Sequence, residues 1–168
     1  MHTLTRLGAW AATLTVVITP AATFGIVKSA AESGTRVDLD GDLRRCDFSL
    51  VTTSAPLSRP ELGTGSVLIH RTGSQAIAEV HLSDAPDPGT HYDVGLIQEP
   101  RPSSATCGPG DPGTAFSGMD TDAAGRGTVT IQDTIRQGTT GVWVIVERGD
   151  PHSQNPAEFY TSEFVAPV

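Results

Sequence analysis

Apolar and polar residues alternate in short runs along most of this chain, and Gly, Pro and Asp fall between the runs. From Cys46 onward the runs are Phe48–Thr53, Ser66–Arg71, Gln75–Ser83, His91–Gln98, Ala115–Met119, Thr128–Asp133, Gly141–Arg148 and Phe159–Val165. Runs this short, about ten residues apart with turn signals between them, predict an antiparallel β-sandwich or barrel. No stretch after Cys46 carries the 3.6-residue period of an amphipathic helix.

The clearest hairpin is Ser66–Ser83, with Thr72-Gly73 as the expected turn. That turn pairs Ile69 with Ala76, Val67 with Ala78 and Gly65 with Val80. Together with Leu82 these make an apolar face, while Ser66, His70, Gln75, Glu79 and His81 face the other way. Gly141-Val-Trp-Val-Ile-Val146 is apolar on both sides, as a central strand would be, with Trp143 opposed to Val142, Val144 and Val146. Asp122–Gly127 reads as a loop.

The N-terminus differs in kind. Leu7–Ile18 is an apolar run followed by Pro20 and small residues, the pattern of a secretory signal with cleavage after Ala31. The rival reading takes Leu7–Val27 as an uncleaved membrane anchor. Both place the rest of the chain outside the cytoplasm, as secreted or cell-envelope protein. Residues 32–44 are polar and acidic and are read as a linker, leaving 45–168 as the domain.

The sequence has 168 residues, 11 basic and 19 acidic, for a net charge of −8. Such a balance opposes binding along a nucleic-acid backbone. Its only two cysteines, Cys46 and Cys107, are expected to pair in an oxidising compartment. Closing so long a loop stabilises by roughly 4 kcal/mol in the chain-entropy account.

Thr90-His-Tyr-Asp93, Leu96, Cys107, Thr121–Gly127, the Val-rich strand and Tyr160-Thr161-Ser162 together resemble small exported immunoglobulin-like β-sandwich proteins of actinomycetes. The resemblance covers residues 65–168. It implies the fold and the location, and no activity.

Candidate chemistry is sparse. Asp38, Asp40 and Asp42 space their oxygens like the opening of a calcium loop, but Leu43 and Ser49 stand where the turn Gly and the bidentate Glu are needed. Asp120-Thr-Asp122 with Gly125 reads as a turn between strands. Gly108-Pro-Gly110-Asp-Pro-Gly113 matches a dinucleotide fingerprint by letter only, because its prolines exclude the helix start that binds phosphate. Arg148-Gly149-Asp150 is the sharpest tripeptide, an adhesive motif by spelling and a turn by its following Pro151.

No nucleophile elbow occurs, and Asn155 precedes Pro156, so no glycosylation acceptor is present. The expectation is a non-enzymatic module, without a cofactor, that binds an unknown protein or envelope component through loops 84–90, 99–114 or 148–157. The alternative is a metal-binding protein in which His91 and His152 meet.

Overall fold

A computed structural model describes residues 34–51, 63–83, 85, 87–153 and 155–168, and all its regular structure is antiparallel strand. The strands are β1 (Thr35–Asp40), β2 (Thr64–Thr72), β3 (Gln75–Ser83), β4 (His91–Glu99), β5 (Thr114–Asp120), β6 (Gly127–Thr134), β7 (Gly141–Arg148), β8 (Glu158–Ser162) and β9 (Ala166–Pro167). Eight of them run in the order β5-β4-β7-β8-β1-β2-β3-β6, and β9 adds to β7. The connections β3 to β4 and β6 to β7 skip their spatial neighbours, which is Greek-key winding. All nine belong to one curled sheet that comes close to closing as a barrel, with β5 and β6 at its edges.

The interior follows the two-residue period. Val37 and Leu39, Val67 and Ile69, Ala76 to Leu82 on alternate residues, Val94 and Leu96, and Val142, Val144 and Val146 all point inward and are buried. β7 is buried on both faces, as its composition predicts: outside the barrel, Trp143 packs with Ile97 and Ile145. Cross-strand pairs align these side chains, Ile97 with Trp143 and Gly95 with Ile145.

Three expectations change. Residues 32–44 are not simply a linker, because 35–40 form β1, which pairs with β2 and, through Leu39 and Asp40, with β8. Val37 and Leu39 supply the inward face, and the acids that suggested a linker lie on the opposite one. Second, the hairpin turn is Gly73-Ser74, so Val67 pairs with Val80 and Ile69 with Ala78. Gly73 takes φ 59° at the first central position, as a II′-type hairpin requires. A shift of two residues keeps every side chain on its face, so the inward set is unchanged. Third, the run from Phe48 makes one isolated bridge, Arg44 to Leu50, and no strand in its described part; Thr52 and Thr53 lie outside the described residues. Residues 1–31, and with them the signal or anchor, also lie outside.

Polar side chains stop the barrel at both ends. At one, Gln98 is fully buried; its amide donates to Asp133 Oδ2 at 2.6 Å and the Thr134 carbonyl at 2.9 Å. Its Oε1 accepts from the Arg136 N–H at 2.9 Å and the Thr139 hydroxyl at 2.8 Å. β4 is thereby tied to the end of β6, across the gap that leaves the barrel short of closure. At the other end Glu158 is fully buried among Tyr92, Tyr160 and Arg148.

Gln98→Met keeps the volume and strips every partner of Gln98. Since each buried group left unsatisfied costs about 1–3 kcal/mol, the loss should reach about 2–4 kcal/mol in urea unfolding. The exposed Gln132→Met should stay within about 0.5 kcal/mol.

Candidate functional site

The outer face of the β5-β4-β7 layer is built from rows of side chains that the registers place side by side. The first row is Asp93 of β4 opposite Glu147 of β7, with Phe159 of β8 on the far side of Glu147. The second is Phe116, Gly95 and Ile145. Gly95 is required here, because a Cβ would come within 2.7 Å of the Phe116 ring that lies across it. The third is Ile97 beside Trp143.

A strap of residues 43–51 covers the Trp143 end. It is closed by the Cys46–Cys107 disulfide, with the two Cα atoms 5.5 Å apart, within the span a disulfide allows. Phe48 meets the Trp143 ring edge-on at 5.5 Å, and the Arg44 guanidinium sits 4.1 Å over Phe48. Phe48 holds φ 63°, a left-handed conformation disfavoured for a bulky residue and kept here by that packing. Trp143 donates its indole N–H to Glu99 at 2.9 Å, while burial pushes the Glu99 carboxyl above its ordinary pKa.

The opposite wall is the loop 100–113, set by Arg101, which donates to the carbonyls of Gln98, Thr106 and Pro112. Asp111 accepts from the Gly108 N–H at 2.7 Å, so the glycine-rich stretch is an Asp-centred turn. Between this loop and the strap runs a groove of about 420 Å³ floored by Ile97, Trp143, Ile145 and Phe116. It ends at Glu147, where a second hollow of about 210 Å³ opens toward Asp93, Asp150, Ser153 and Asn155. The two form a trough that is apolar at one end and acidic at the other. Burial and the facing Asp93 both raise the Glu147 pKa.

A wider groove of about 640 Å³ crosses the outer face of β1, β2 and β3. Its lining is polar apart from Leu39, and Arg36 there already donates to Ser66 at 3.0 Å. Such a floor has no apolar anchor of the kind binding sites use.

Arg148-Gly149-Asp150 is divided by the fold. The Arg148 guanidinium turns inward, 3.3 Å from buried Glu158 and 3.3 Å from Asp87 on loop 84–90. Asp150 caps the turn through the His152 N–H at 2.8 Å. Arg148 thus compensates a buried carboxylate, and Asp150 borders the acidic end of the trough. Tyr92 also donates to Glu158, at 3.1 Å, and burial beside that carboxylate raises the Tyr92 pKa.

Of Asp38, Asp40 and Asp42, the last two converge on the Arg44 guanidinium, and Asp38 lines the groove over β1. Asp40 accepts from the Asp42 N–H at 3.0 Å and pairs with Arg44 at 3.5 Å, while Asp42 lies 3.8 Å from the same guanidinium. Asp122 accepts from the N–H groups of Ala124 and Arg126, which makes its segment a turn. His70 and His81 share a face, but His81 pairs with Ser66, four residues along the strand from His70, about 13 Å. His91 is held by Asp120 at 2.7 Å, with Asp93 at 3.8 Å, and His152 sits in the loop after Asp150. Among the described residues no group of three His, Cys, Asp or Glu could hold a metal.

The residues that sequence reasoning missed are Glu147, Asp93 and Phe116. Strand periodicity puts all of them on the outer face, but only the β4–β5 and β4–β7 pairings bring them together. No family model, curated protein or solved structure matches the chain.

Three outcomes test these assignments. Arg148→Met should cost about 3–5 kcal/mol in unfolding, because it leaves Glu158 charged, buried and without its cation. Asp150→Ala should change stability by less than about 1 kcal/mol. His91 should titrate above its ordinary value, chiefly through the Asp120 hydrogen bond. The stabilisation it brings is then present below pH 6.5 and lost as pH rises through its folded-state pKa. NMR titration of the ring should show that value returning toward 6.5 in Asp120→Asn.

Proposed function

We propose that this chain is an exported, non-enzymatic binding module of the cell envelope or extracellular space, of the immunoglobulin-like β class, and that the trough beside the disulfide is its contact surface. The observation that carries this reading is the pairing of an apolar end with an acidic end between two braced walls. Ligand sites combine these features: apolar area supplies affinity and a few polar groups fix orientation. The walls are the strap and loop 100–113, and the acidic end adds loop 149–157, so two of the three loops singled out by the sequence border the trough. Loop 84–90 supports it indirectly through the Asp87–Arg148 pair.

The location rests on the apolar N-terminal run and on the cysteine pair, which persists in oxidising compartments and is rare in the cytosol. A binding role is the one that an apolar end joined to an acidic end serves directly.

Site-directed photocrosslinking in the native host tests this. A crosslinker at Thr106, on the trough wall, should capture a discrete envelope or extracellular partner. The same group at Glu79, on the outer face of β3, should not. Equal capture from both positions, or from neither, would remove the trough as the contact surface.

A further inference from the structure

Resting on that reading, we infer that the trough takes an extended segment of a partner polypeptide carrying a Lys or Arg and, two residues away on the same side, a large apolar residue. Side chains on one face of a strand recur every second residue, about 6.7 Å apart. The outer face of β7 therefore sets Glu147 one such step from Ile145 and two from Trp143. β4 repeats the pattern beside it, with Asp93, Gly95 and Ile97 in register with those three. An extended segment lying along these strands has the same period, so its alternate side chains meet the acidic row and then the apolar row.

The ends of the trough differ in charge. Asp93 and Glu147 face each other directly, and Asp150 lines the same hollow. The cation closest to Asp93 is His91, which Asp120 already holds at 2.7 Å. Arg148, next in sequence to Glu147, is turned inward to Glu158. Two carboxylates held opposite one another repel, and a cationic side chain of the partner relieves that repulsion as it binds. Over the apolar row, the half-buried Phe116 lies on Gly95 beside the buried Ile145 and offers its ring to the next inward side chain. An acidic segment would add a fourth carboxylate to the same hollow. The chain's own charge of −8 works against a second copy as the occupant.

The test uses the full disulfide-bonded protein and short, capped, extended peptides of Ser, Thr and Val with one Lys-x-Leu, Asp-x-Leu or Lys-x-Asp insert. Binding is followed at low salt through the indole N–H resonance of Trp143 and by calorimetry. The Lys-x-Leu peptide should bind at least about tenfold more tightly than either other peptide, and its advantage should shrink with added salt. Glu147→Gln should remove most of its advantage over Asp-x-Leu while the folded spectrum persists. Asp-x-Leu binding as well as Lys-x-Leu, or Glu147→Gln leaving the difference intact, would overturn the charge assignment and leave the trough as a binding surface. If no peptide moves the Trp143 resonance, the binding reading falls together with this one. Concentration-dependent shifts at the same residues without peptide, with a dimer in sedimentation, would make a second copy the occupant and overturn the inference.

Discussion

Trp143 is a fully buried side chain on the outside of the barrel, and much of the molecule's architecture answers that constraint. The inner face of β7 is served by the core, through Val142, Val144 and Val146. Among the described residues no second layer of secondary structure covers its outer face. Burying an aromatic residue of this size is worth several kcal/mol only if something excludes water from it, and here a loop does so. The disulfide fixes the strap to loop 100–113, Phe48 meets the indole edge, and Arg44 covers Phe48. The trough is what remains between these two covers, so the device that stabilises the fold also shapes the candidate site.

Much of the fold was legible because the two-residue period is a local property. β3 and β7 have the bounds that their alternation indicates, and four further runs agree to within two residues at each end. β1 was the instructive failure. Thr35-Arg-Val-Asp-Leu-Asp40 alternates correctly, but two apolar residues among acids read as solvated chain until β2 and β8 flank them. The hairpin register slipped by two because Gly73 can be either central residue of a two-residue turn; the fold makes it the first, and Thr72 then pairs with Gln75. The single curled sheet, in place of two separate layers, depends on β1 bridging β8 and β2, and no local pattern reports that pairing.

The candidate site was less legible for a physical reason. Short motifs draw attention when their residues are adjacent in sequence, yet the fold sends adjacent residues to opposite faces. Arg148 turns into the barrel while Asp150 borders the outer trough, so the two charged side chains of the tripeptide sit in different surroundings. Conversely, Asp93 and Glu147 are 54 positions apart in sequence (147 − 93) and stand directly opposite. Two charged groups were placed by very different demands: Glu158 is buried and needs Arg148, whereas Glu147 faces another acid and is left seeking a cation.

The strap should hold the outer face independently of the barrel interior. Amide hydrogen exchange on the native protein and on the Cys46→Ser/Cys107→Ser double variant tests this most directly. Faster exchange should be confined to loop 100–113, the strap and the adjoining halves of β4 and β7, with β2, β3 and β6 keeping their protection. Exchange that rises across the whole sheet, or nowhere, would contradict it.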